Sequence, residues 1–219
     1  MKTFAWLSIV LALAAGGCDI HIHDTNRVKG SGVSKTEKRS ITPFTSVNVS
    51  CAGSIQVHSQ EQPSLQISGD ENIVPLITTE VKDDTLYIRS TQQYEPRDKL
   101  EITISTLDLK KFAFVGAGEA NLANIKTDQL EIAMSGAGSL TASGEAKAAD
   151  ITLAGAGSVD AKDLHAVNAK VKSTGVGSID VYATGQLDAT ASGIGEINYY
   201  GSPKVVNRNG TGIGGINQK

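Results

Sequence analysis

The chain has 219 residues, 20 Lys and Arg against 23 Asp and Glu, a net charge of -3, and aromatics at only 5%. That length suits one domain and a short tail. The near-balanced charge excludes a polycationic nucleic-acid surface, and 23 glycines against so few bulky side chains point to thin layers and repeated tight turns.

Met1-Lys2 supplies a short positive start, followed by an apolar run from Phe4 to Ala15. Twelve residues are too few for a helix that needs ~20 to cross a bilayer, but they fit the apolar centre of a secretory signal peptide over 1–17. Ala14-Ala15-Gly16-Gly17 leads directly to Cys18, a layout that resembles a bacterial lipobox. The pattern departs from the lipobox where Ala15 stands in place of Leu. Cys18 is therefore the expected lipidation site and membrane anchor, with simple secretion as the alternative. The other cysteine, Cys51, shares a strand face with Val47 and Val49 and is expected to be a small core residue.

Residues 18–40 are polar, carry Gly30-Ser31-Gly32 and show no periodicity, which predicts a tether. His21, His23 and Asp24 are metal-capable types, but solvated tether residues are the expected reading. From Ile41 to Lys219 the pattern becomes strand-like. Val47–Val49, Ile55–Val57, Leu65–Ile67, Leu86–Ile88 and Leu100–Ile104 alternate with period two between polar turns such as Lys82-Asp83-Asp84.

The second half repeats. Gly-x-Gly occurs at Gly116, Gly136, Gly155, Gly175, Gly193 and Gly212, with spacings of 20, 19, 20, 18 and 19 residues. Such a period predicts an all-β, parallel β-helix-like β-solenoid with about six coils of ~19 residues. Four residues before the first glycine stand Phe112, Ile132, Ile151, Val171, Ala189 and Arg208, so the core is expected to end at Arg208. Four residues after it stand Ala120, Leu140, Val159, Ile179, Ile197 and Ile216. The residue between the glycines runs Ala, Ala, Ala, Val, Ile, Ile and is expected to form a further apolar column.

Ser192-Gly193-Ile194-Gly195-Glu196-Ile197-Asn198 and Gly212-Ile213-Gly214-Gly215-Ile216-Asn217 carry a family resemblance. So do Phe44-Thr45-Ser46-Val47-Asn48-Val49 and Val81-Lys82-Asp83-Asp84-Thr85-Leu86-Tyr87-Ile88. Together they resemble the putative auto-transporter adhesin, head GIN domain family. The resemblance spans residues 41–219. It implies a right-handed parallel β-helix in exported, often lipid-anchored bacterial proteins, and it brings no established activity.

The leading candidate surface is a polar ladder five residues after each first glycine: Asn121, Thr141, Asp160, Asp180, Asn198 and Asn217. Stacked Asp160 and Asp180 raise the question of a weak Ca²⁺ site, but a solvated ladder of turn-forming residues is the expected reading. With Asp180 facing out, Asp180→Ala is expected to change stability by less than ~0.5 kcal/mol. His58 and His165 have no neighbouring nucleophile motif, and acidic residues recur singly rather than in pairs. The sequence therefore predicts no catalytic residue, cofactor or metal. It points to a non-catalytic envelope lipoprotein, an adhesin or a module that binds a glycan or another envelope component, with a carbohydrate-active enzyme on a β-helix as the alternative.

Overall fold

The computed structural model describes residues 27–219. The signal peptide, Cys18, His21, His23 and Asp24 lie outside the described residues. The described chain is a β-solenoid with no α-helix, its C-terminal half winding about five turns rather than a complete sixth. The long strands Ala117–Met134, Ala137–Leu153, Ala156–Ser173 and Val176–Ala191 each hold most of one coil. Ile194–Tyr200, Val205–Gly210 and Ile216–Gln218 complete the C-terminal end. All of these pair in parallel, coil upon coil.

The N-terminal half continues the same stack without the repeat. Ser46–Ser50 lies in register under Lys111–Phe114, and Gly53–Ser59 lies under the first long strand, with Gly53 opposite Gly118. One inward column thus runs Ile102, Ile55, Ala120, Leu140, Val159, Ile179, Ile197 and Ile216. A second runs Leu86, Val47, Phe112, Ile132, Ile151, Val171 and Ala189. Apart from half-buried Ile216, their members are buried, and this stacked apolar surface is the main source of stability.

The column between the glycines differs from expectation. Ala117, Ala137, Ala156, Val176, Ile194 and Ile213 are in register but face solvent, the last three 54%, 54% and 75% exposed. Gly-x-Gly is a convex corner, so its middle side chain points away from the axis. The amide of that residue instead donates to the first glycine carbonyl of the preceding coil, at 2.9–3.0 Å from Ala137 to Ile213. Glycine is required on both sides because the coils touch there. A Cβ on Gly136 would lie 1.7 Å from the Gly116 carbonyl oxygen, and one on Gly177 (φ +140°) 1.7 Å from that of Gly157.

The segment expected to be a tether is folded from Val28. Val28–Lys29 pairs with Tyr94–Glu95, and Ser34–Arg39 adds antiparallel to Ser64–Asp70. Ser34–Arg39 is an edge strand exposed along most of its length, so it carries no apolar alternation to betray it. Buried Asp70 holds this end together. Its carboxylate accepts from the amides of Gly32 (2.6 Å), Arg97 (2.9 Å) and Asp98 (3.1 Å). Burial alone would raise its proton affinity, but the amides of Gly32, Asp98 and Arg97 outweigh it and hold the carboxyl below its usual range.

At the other end Tyr199 is buried and plugs the last coil. Arg208 is exposed rather than inward; its guanidinium donates to the Tyr199 hydroxyl and lies 5.0 Å from that ring's centre. The core does end there, closed by an amphipathic side chain.

Two outcomes follow from this geometry. Gly177→Ala should cost about 3 kcal/mol or more in denaturant unfolding, because its Cβ meets backbone, whereas Val176→Ala next to it should stay within ~0.5 kcal/mol. Similar losses for both would contradict the corner geometry. Asp70, with proton affinity lower folded than unfolded, stabilises fully above ~pH 4, and that contribution falls away as pH drops below this value. Asp70→Asn should therefore lower the melting temperature at pH 7 and flatten its decline below pH ~4.

Candidate functional site

The predicted polar ladder is in register: Asn121, Thr141, Asp160, Asp180, Asn198 and Asn217 occupy one position on successive coils. Much of its capacity is spent internally. Thr141 donates to Asn121 Oδ1 (2.9 Å), Asn121 to Gln56 Oε1 (3.1 Å) and Asn198 to Asp180 Oδ1 (3.0 Å). Asp160 accepts from the Lys162 amide (3.2 Å) and from the Lys162 ammonium. These are contacts between adjacent side chains of a stack, the sheet equivalent of a polar zipper. No group of three or more metal-ligating side chains occurs among the described residues, and Asp160 and Asp180 already have partners. The ladder thus supports the fold more than it offers groups to a ligand.

Cys51 is buried beside Tyr94, whose hydroxyl donates to the Ala52 carbonyl. Burial pushes the Cys51 thiol up to about 12, which keeps it protonated and unreactive near neutral pH.

A different column offers more. Lys126, Glu145, His165, Tyr182 and Tyr200 are register partners on five successive coils. The His165 and Tyr182 rings meet edge to face with centres 4.5 Å apart. Four members of this column, Lys126 to Tyr182, line an open groove of about 960 Å³ with Asp108, Lys110, Asp128, Lys147 and Thr184. Asp108 pairs with Lys110 (3.7 Å) and Asp128 with Lys147 (2.7 Å). Side-chain groups of Lys126, Glu145, Tyr182 and Thr184 make no hydrogen bond or ion pair among the described residues, and all four are exposed or half-buried.

Sequence reasoning missed this column because its members do not share an offset. They stand 10, 9, 10, 7 and 7 residues after the first glycine of their copies. Register shifts between Leu122 and Ile125, between Thr141 and Ser143, and between Ala161 and His165 bring them level. Such bulges re-aim side chains and are enriched beside sites. Of the earlier candidates, only His165 falls in the groove; His58 lies on the Gly53–Ser59 strand, outside its lining.

Asp180→Ala tests the ladder's structural role. Removing the half-buried acceptor of Asn198 should cost about 1 kcal/mol, more than the outward-facing reading allowed, measured by chemical denaturation. A loss below ~0.3 kcal/mol would return the ladder to mere solvated surface.

Comparison with known proteins gives a consistent picture. Residues 43–203 match the family described as putative auto-transporter adhesin, head GIN domain. Among solved structures, the chain is similar to a putative adhesin from Bacteroides fragilis, with 27% identity and a TM-score of 0.72 over 88% of this chain and 100% of that one. It is also similar to a putative lipid binding protein from Parabacteroides distasonis, with 25% identity and a TM-score of 0.50 over 89% of this chain and 100% of that one. No curated protein matches.

Proposed function

The chain belongs to the putative auto-transporter adhesin, head GIN domain family, and from that premise we propose that it is an exported, lipid-anchored, non-catalytic module that binds a component of the cell envelope. The observation that carries this reading is the groove across successive coils, where each coil contributes side chains to one continuous surface. A stiff stack of coils displays such a surface with little ordering cost, which favours extended ligands.

The pairing of the groove carboxyls supports binding over catalysis: Asp108 and Asp128 are each held in an ion pair, with Lys110 and Lys147, whereas glycoside hydrolysis needs two carboxyls that act together across the scissile bond. The anchoring part of the proposal rests on the apolar run and the small residues before Cys18.

The wild-type chain should fractionate with membranes and take up an acyl label, whereas Cys18→Ser should do neither. Isolated envelopes should retain the wild-type protein while releasing no new sugar or peptide fragments. Equal solubility of both forms would remove the anchor. Reproducible turnover of a polysaccharide or peptidoglycan fragment, abolished by one acidic substitution, would replace the binding reading with an enzyme.

A further inference from the structure

We propose that the groove through Lys126, Glu145, His165, Tyr182 and Thr184 is a binding site for a neutral linear oligosaccharide, its sugar rings packing against the Tyr182–His165 pair. This rests on the binding reading above and names its ligand class.

Four features of the groove select that class. Its shape is an open channel along the stacking direction, so it accommodates a chain rather than a compact molecule. Its charge is balanced: Lys110, Lys126 and Lys147 face Asp108, Asp128 and Glu145. Two of these pairs neutralise each other, which leaves neither a polyanion nor a polycation a complementary surface. The free groups are mixed: the Lys126 ammonium donates, the Glu145 carboxylate accepts, and the Tyr182 and Thr184 hydroxyls do both. That mixture suits hydroxyls, which donate and accept together. Finally, the aromatic pair supplies a π face against which the C–H side of a pyranose packs, with polar groups at the rim for its hydroxyls.

A peptide is the less suitable occupant. Peptides that lie along sheets gain most of their affinity by pairing with an unpaired strand edge. The strands under the groove are paired with a coil above and below except at the bulges, so no continuous strand edge is open to a peptide. No deep apolar pocket opens there to anchor a side chain or an acyl chain, since the aromatic rings and Val167 are set among charged and hydroxyl groups.

The test uses full-length protein in detergent, titrated by calorimetry and by amide chemical shifts with cellopentaose and chitopentaose. Heparin oligosaccharide and oligolysine serve as charged controls. At least one neutral pentasaccharide should bind and shift the amides of His165, Tyr182 and Thr184. Tyr182→Ala should weaken that binding about tenfold, the size expected for losing one aromatic face. Lys126→Ala, at an exposed position where folding is not at stake, should weaken it severalfold with an unchanged melting temperature. Failure of both pentasaccharides to shift groove amides overturns the oligosaccharide assignment, as does binding that is indifferent to both variants or tighter to either charged control. In those cases retention on isolated envelopes shows that the broader binding reading still stands. Shortening of a bound pentasaccharide would leave the ligand class intact and overturn the non-catalytic reading instead.

Discussion

The structure depends on how closely the coils approach at the Gly-x-Gly corner. Parallel strands hydrogen-bond at a separation of ~4.8 Å, and a corner stacked at that spacing brings each glycine against the carbonyl beneath it. A Cβ at any of the paired glycines from Gly136 to Gly214 would fall within about 2.1 Å of that oxygen. With no side chain there, the middle amide reaches the carbonyl of the coil below and fixes the vertical register. The columns on either side of the corner inherit that register. The buried stacks of Ile, Leu and Val meet like with like because the corners cannot slip.

The same constraint explains why the ends look unlike the middle. A stack of identical coils would leave unpaired strand edges at both faces, an invitation to aggregation. At the N-terminal end the chain gives up the repeat and adds antiparallel strands, Ser34–Arg39 on Ser64–Asp70 and Ile77–Lys82 on Thr85–Ser90, with Asp70 tying three backbone amides together. At the C-terminal end the core narrows from Phe112 to Ala189, and Tyr199 with Arg208 over it closes the interior. Loss of the repeat is therefore part of how the repeat is made stable.

The outer surface divides into two kinds of column. Where register is strict, identical positions stack and polar side chains satisfy one another, as along Asn121 to Asn217. Where bulges interrupt the strands, residues of different type come level, and their groups are left free for something else. Lys126, Glu145, His165, Tyr182 and Tyr200 form such a column. Regularity builds the scaffold, and local departure from it builds the surface that can discriminate.

The fold was legible in the sequence because its cause is local and periodic. The glycines at steady spacing, the columns through Leu140 and Ile132, and the family resemblance all pointed to a β-solenoid, and the register from Ala120 to Ile216 follows from one alignment. Three things were not legible. The direction of Ala117 to Ile213 depends on which way a corner turns, and an apolar side chain beside two glycines reads the same inside or out. The edge strand Ser34–Arg39 is exposed along most of its length, so no alternation marks it. The groove gathers residues at offsets of 10, 9 and 7 from their glycines, and only strand pairing across bulges decides that they share a level. Sequence by itself determined the repeat and its buried phase, because burial imposes a period on residue type. Tertiary structure alone decided which way the corner side chains face and which residues meet across the bulges, because solvent imposes no period on either.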